Sequence, residues 1–272
     1  MTLALRLLLI VCAGLSPALA AAQALPTHVD PSGREEIFDP ASVPALRFLT
    51  TADFPPFNYL DAEGELVGYN IDLANAICQR LSARCTIQSW SWDQVQDALA
   101  DNQGDALIAG LAMTGQAGER FDFSRVYLQL PARFVTRTEE ATEPFDPAQT
   151  DGPIGVRRAS VHDTLITRIL PAAELERFES EFAALDALAS GDVDAVFADG
   201  MRASFWLNEN PDCCAFAGEP YFRPDLFGSG LSIAVPAGLD NVRRALDWAL
   251  ERLAREGRMD ELYLRWFPVG FY

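Results

Sequence analysis

Asp105-Ala106-Leu107-Ile108-Ala109 is the stretch on which the fold turns. It is apolar without alternation after its first residue, the pattern of a strand covered on both faces, and such strands belong to layered α/β sheets. Working back, Trp92 to Ala100 has helical spacing and Thr86-Ile87-Gln88 is a short strand. A further helix carries Ile71, Ala74, Ile77, Cys78 and Leu81 on one side, with Asn70 placed to cap it. Order begins at the alternating strand Leu46 to Thr50. Working forward, a second series starts near Arg133. Its parts are a strand at Pro153 to Val156, a helix opening at Ser160, a helix over Phe182 to Ala189, a strand at Val193 to Ala198 and a helix from Met201 to Leu207. Beyond Leu231 to Val235 the chain closes with helices from about Asp240 to Arg255 and from Met259 to Phe267. Two successive strand and helix series predict α/β layers around mostly parallel sheets.

The first residues predict export. Arg6, the apolar run Leu7 to Leu15 and the small-residue pattern Ala18-Leu19-Ala20, repeated as Ala22-Gln23-Ala24, describe a secretory signal peptide over 1–24 with cleavage near Ala20 or Ala24. The apolar run is too short to span a bilayer, which takes about 20 residues. Cys12, with Val11 before it, reads as part of the removed segment rather than as a lipid anchor. Residues 25–42, rich in Pro, Ala and acids, read as a flexible arm. The formal charge is −18 and there is no lysine, so the field repels nucleic acid and offers no basic stripe for phosphates. Of the four cysteines after the signal, Cys78 and Cys85 bracket a helix end and the next strand, a spacing a disulfide can close; neither His28 nor His162 lies near enough in sequence to favour zinc. Cys213 and Cys214 are left open between a vicinal disulfide and free thiols. No cofactor motif is present, and no G-x-S-x-G, H-E-x-x-H or P-loop.

Certain segments are more specific. Asp53-Phe54-Pro55-Pro56-Phe57 is followed by Gly64-Glu65-Leu66-Val67-Gly68-Tyr69-Asn70-Ile71-Asp72-Leu73-Ala74, then Glu119-Arg120-Phe121-Asp122-Phe123-Ser124, Ile154-Gly155-Val156, Gly191-Asp192-Val193-Asp194-Ala195-Val196, and Gly257-Arg258-Met259-Asp260 to Arg265-Trp266-Phe267. In order and spacing they resemble the family 3 extracellular solute-binding proteins, the polar amino-acid receptors of ABC importers. The resemblance runs from about Leu46 to Phe267. It implies a type II periplasmic binding fold: two α/β lobes, 43–129 with 227–272 and 130–226, joined by two crossover strands near Leu130–Val135 and Asp225–Ser232. It further implies a periplasmic monomer that closes on a small-molecule ligand and meets an ABC permease in the inner membrane. The Cys78 and Cys85 pair resembles the disulfide of the basic amino-acid receptors of that family.

Carried over by position, the resemblance makes Phe54 and Trp92 the ligand's aromatic walls. It leaves the Gly110 carbonyl and the Thr114 amide to serve an amino acid's head group, with Ala112 among the positions usually held by serine. Ala117 stands where an arginine would grip a carboxylate. On the second lobe Ser160 is expected to cap a helix and donate to an anion, and Asp199 to pair with an α-ammonium. Arg157 or Arg158 is available as a replacement guanidinium. Without an arginine at 117, the carboxylate depends on Ser160, backbone amides and Arg157, so the cleft is expected to hold ordinary amino acids weakly or not at all and to prefer a cationic or neutral polar head. A binding module is therefore expected, not an enzyme. The alternatives on the same architecture are an accessory protein of a quinoprotein alcohol dehydrogenase and a cyclohexadienyl-dehydratase-like enzyme.

Overall fold

The computed structural model describes residues 24–27, 37–141 and 144–272. Apart from Ala24, the expected signal peptide lies outside the described residues, as does 28–36 of the expected arm. The first half of the chain gives β1 (Ala45–Thr50), β2 (Asp53–Phe54), β3 (Asn58–Leu60), β4 (Leu66–Val67), α1 (Tyr69–Leu81), β5 (Arg84–Ser89), α2 (Trp92–Ala100), β6 (Ala106–Leu107), α3 (Gly115–Gly118) and β7 (Phe121–Phe123). There follow β8 (Ala132–Arg137), β9 (Ile154–Arg157), α4 (Val161–Ile169), β10 (Leu175–Phe178), α5 (Glu181–Ser190), β11 (Ala195–Asp199), α6 (Gly200–Glu209), β12 (Cys214–Tyr221) and α7 (Pro224–Phe227). The chain returns as β13 (Ala234–Pro236), α8 (Asp240–Arg255) and α9 (Arg258–Trp266).

Two five-stranded sheets result, ordered β5-β1-β6-β13-β7 and β10-β9-β11-β8-β12, so the molecule has two lobes. Each is mixed rather than mostly parallel. In the first, β13 runs against β6 and β7; in the second, β8 runs against β11 and β12. The reversed strands, β8 and β13, are the ones the chain enters on arriving from the other lobe. β7 and β12 leave their sheets at the edge where the parallel strands end, and β8 and β13 begin at that same edge of the other sheet. The carboxyl ends of the two sets of parallel strands are thereby turned toward one another, and in open α/β sheets ligands bind outside such ends. A small antiparallel sheet of β2, β3 and β4, absent from the sequence reading, sits beyond β1.

The crossings lie between Phe123 and Ala132 and between Tyr221 and Ala234. The first is earlier than expected, because Ala132 to Val135 already pair within the second sheet. The two segments join as an antiparallel bridge at Leu128 and Leu231, where the Leu231 amide donates to the Leu128 carbonyl at 2.7 Å. Gly230 makes that approach possible: it has φ +117°, and a Cβ there would lie 2.6 Å from the Leu128 oxygen.

Side chains alternate between two cores in each lobe. Along the deciding stretch, Ala106 and Ile108 pack with α1, α8 and α9, while Leu107 and Ala109 pack with α2. Lobe two divides likewise, Val196 and Ala198 facing α5 and α6 and Phe197 facing α4. Asn70 is not the cap of α1. Gly68 occupies that position, where a Cβ would meet the Phe57 carbonyl at 2.1 Å, and Asn70 is buried instead. Its amide donates to Asn58 Oδ1 and its oxygen accepts from the Tyr127 hydroxyl. Cys78 and Cys85 form a disulfide with Cα atoms 6.1 Å apart, and Cys213 and Cys214 are bonded to each other. The described parts of the arm make contacts: Pro26 is buried, and Phe38 lies against Trp248.

Candidate functional site

On lobe one the expected walls differ in setting. Phe54 is half-buried and stacks on Phe57 with ring centroids 4.8 Å apart. Its ring lies on the backbone of Gly110, which has φ +75° and where a Cβ would fall 2.8 Å from Phe54 Cε1, so glycine at 110 is what lets the ring lie there. Trp92 opens α2 directly beyond β5 and is 44% exposed, an indole with no core to fill. The head-group donors are less free than the sequence suggested. Thr114 caps α3, its hydroxyl accepting from the Ala117 amide at 3.1 Å. Its own amide donates to the Ala112 carbonyl at 2.9 Å, so that donor is spent within the chain. Ala112 is exposed and Ala117 is buried.

On lobe two, β9 and β11 are neighbouring parallel strands with Val156 opposite Phe197, so Arg157 and Asp199 end adjacent strands. Arg158 is engaged with Glu179 and with the Arg177 carbonyl. That exposed pair engages its guanidinium in this structure. Arg157 is exposed and has no ion-pair partner among the described residues. Ala159 turns the chain into α4 with φ +53°, the left-handed region that favours glycine. Ser160 caps α4, its hydroxyl accepting from the Asp163 amide at 3.0 Å while donating its proton to the Arg157 carbonyl at 2.7 Å. The expectation that Ser160 donates to an anion is corrected by that bond.

Asp199 serves as the N-cap of α6, accepting from the Arg202 amide at 2.8 Å. Its carboxyl is pushed up to about 6, by burial first and by the nearby Glu181 charge. Sequence reasoning missed its neighbours. Glu181, at the start of α5, is 3% exposed; it accepts from the Asp199 amide at 3.2 Å and lies 2.5 Å from Arg202 Nε. His162 Nδ1 stands 3.8 Å from Glu181, and burial holds this imidazole down at about 4, hence neutral. A glutamate after Ser180 reads as a solvated helix start, so only tertiary packing marks it.

A row of aromatic rings links the two lobes. Phe54 meets Phe57, Phe57 meets Phe267 at 6.0 Å, and Phe267 meets Phe205 of α6 at 6.3 Å. Met201, two residues after Asp199, also packs on the lobe-one core. The start of α6, which Asp199 caps, is thereby packed against the lobe-one core that also carries Phe54, while Trp92, Thr114 and Arg157 are exposed. A cavity of about 710 Å³ lies elsewhere, along Arg125 to Gln129 and Gly218 to Pro220, and none of the expected site residues lines it.

Against known proteins, the model of the bacterial extracellular solute-binding proteins, family 3, matches residues 46–269. A relative in Escherichia coli (strain K12), provisionally named ABC transporter arginine-binding protein 2, is 32% identical over 82% of this chain and 90% of its own length. Among solved structures, the L-cystine solute receptor of Neisseria gonorrhoeae in its unliganded open conformation is 19% identical with TM-score 0.73, covering 84% of this chain and 94% of that one. An ancestral cyclohexadienyl dehydratase is 22% identical with TM-score 0.71, covering 83% and 93%; at these identities the two show the shared fold alone. With two lobes, two crossings and a match over nearly all of its described length, the chain belongs to the bacterial extracellular solute-binding proteins of family 3.

Proposed function

We propose that this protein is the periplasmic receptor of an ABC importer, capturing a small amino-bearing polar solute between its lobes and presenting it, as a monomer, to the permease. The lobes divide at 129/130 and 226/227. The observation that carries the reading is the placement of Asp199. It ends a parallel strand of lobe two and caps α6, whose Met201 and Phe205 pack on the lobe-one core that also carries Phe54 beside Gly110. That packing supports a site between the lobes with Asp199 on one side and Phe54 on the other. A carboxylate and an aromatic face are together the complement of an ammonium group, one pairing the charge and the other excluding water.

Export is supported by the N-terminal pattern and by two disulfides, which persist in oxidising compartments. Binding rather than catalysis is supported by the relative's name as an arginine-binding protein. The dehydratase reading has fold similarity behind it and no more.

Calorimetry with amino acids and amines tests the proposal. The expected result is saturable binding of an amine-bearing solute that Asp199→Asn weakens by at least about 30-fold, the lower end of the cost of removing one partner from a desolvated charge pair. An amine-bearing ligand held equally well after Asp199→Asn would reject Asp199 as the ammonium partner.

A further inference from the structure

We propose that Arg157 is the carboxylate anchor of the crevice, so that lobe two holds both charges of a zwitterionic solute and lobe one supplies walls. This rests on the receptor reading and narrows its substrate class to solutes carrying an amine and a carboxylate together.

The argument begins with where charges sit. The chain has 39 acidic residues against 21 arginines, so arginine side chains readily find acidic partners. Arg158 pairs with Glu179, Arg177 with Asp163 and Arg202 with Glu181, all in the same lobe. Arg157, amid these pairs, has none among the described residues. It is the last residue of β9, next to β11 in register, and its strand ends beside the one that ends in Asp199. It stands close enough to the buried His162 to be among the charges that disfavour a proton there. A guanidinium and a carboxyl thus leave the same end of the sheet from neighbouring strands, the two charges an amino acid head group needs.

Two of the competing donors are engaged within the chain. The Ser160 hydroxyl donates to the Arg157 carbonyl, and the Thr114 amide to the Ala112 carbonyl. The first bond also fixes the backbone from which the Arg157 side chain leaves. A planar guanidinium makes two parallel bonds to a carboxylate, which an ammonium cannot. The arrangement replaces the expectation, drawn from Ala117 alone, that carboxylates are poorly held.

The test compares affinities for L-arginine and for agmatine, its decarboxylated amine, in the full mature protein, with L-histidine and histamine as a second pair. Expected is a wild-type preference for the amino acid of at least about 100-fold, within the range found for desolvated charge pairs. Arg157→Ala brings that ratio close to one, Arg157→Lys restores part of it, and Arg158→Ala keeps it. Thermal melts confirm that the exposed Arg157→Ala change leaves the fold intact. If Asp199→Asn abolishes binding while Arg157→Ala leaves the ratio unchanged, the receptor reading stands and the anchor is overturned. If Arg158→Ala collapses the ratio instead, the anchor is likewise overturned. If the wild-type protein binds none of the four probes, the amine-receptor reading and the anchor fall together.

Discussion

Asp199 and His162 share one patch and have opposite effects on stability. The Asp199 carboxyl is raised to about 6, so below about 4 its stabilising protonated form is fully present, and that contribution is lost as pH rises through 6. The His162 imidazole is lowered to about 4, so its contribution is present above about 6.5 and is lost as pH falls through 4. Between pH 4 and 6 the two slopes oppose each other. Relative to wild type, Asp199→Asn should make stability rise with pH across this window, by up to about 1.4 kcal/mol per unit. His162→Gln should make it fall. Urea denaturation at closely spaced pH values measures both, and parallel profiles for the two variants would show that these groups do not control the window. Gly110 is a second residue with a definite cost. An alanine at φ +75° is strained by roughly 1–2 kcal/mol and must displace Phe54 as well. Gly110→Ala should therefore lose that stability and weaken ligand binding, whereas an unchanged melt with unchanged affinity would mean that the backbone and ring adjust freely.

At the scale of elements, the α1 to β5 connection illustrates both what sequence carries and what it omits. Its disulfide closes a loop with a sequence separation of 7, beside Ser82, which ends α1 in the left-handed conformation. Replacing Cys78 and Cys85 by serine should cost about 2.5 kcal/mol by chain-entropy reasoning, with ligand affinity unchanged because the bond lies away from the crevice. Denaturation together with calorimetry checks the two halves of that statement separately. Helices such as α2 and the both-faces-buried Asp105 to Ala109 were legible because local pattern dictates them. The direction of β8 and β13 was not, since it depends on where the chain re-enters a sheet. Asn70 was misread for a related reason: its side chain is spent on Asn58 and Tyr127, distant in sequence, while Gly68 starts the helix through a backbone contact. The candidate site positions were named by resemblance. Which hydroxyls and amides remain free was decided by bonds such as Ser160 to Arg157, which no pattern announces.

For the whole molecule the issue is how two lobes joined by two segments keep a defined hinge. Beyond the crossings, the C-terminal tail acts as a brace. Val269 packs on the lobe-two core, Phe271 is buried beside Gly200, and Tyr272 lies 5.9 Å from Phe222. The Tyr272 hydroxyl accepts from the Gln129 amide at 3.0 Å and donates to its carbonyl at 2.5 Å, clamping both peptide groups of one residue on the first crossing. Lobe closure needs a few backbone dihedrals to change, and a clamp at Gln129 confines that change to its flanks. Tyr272→Phe removes both bonds with little loss of apolar contact. It should cost about 1 kcal/mol, since Gln129 is exposed and water replaces the partner. It should also widen the spread of inter-lobe distances in the unliganded protein, read by single-molecule energy transfer between labels on the two lobes. The liganded distribution should stay narrow, because a solute bridging the lobes imposes its own constraint. A wider unliganded ensemble leaves less of the binding-competent geometry populated, and apparent affinity falls by that fraction. If the unliganded distribution is as narrow without the hydroxyl as with it, the crossings alone define the hinge and the tail is packing only.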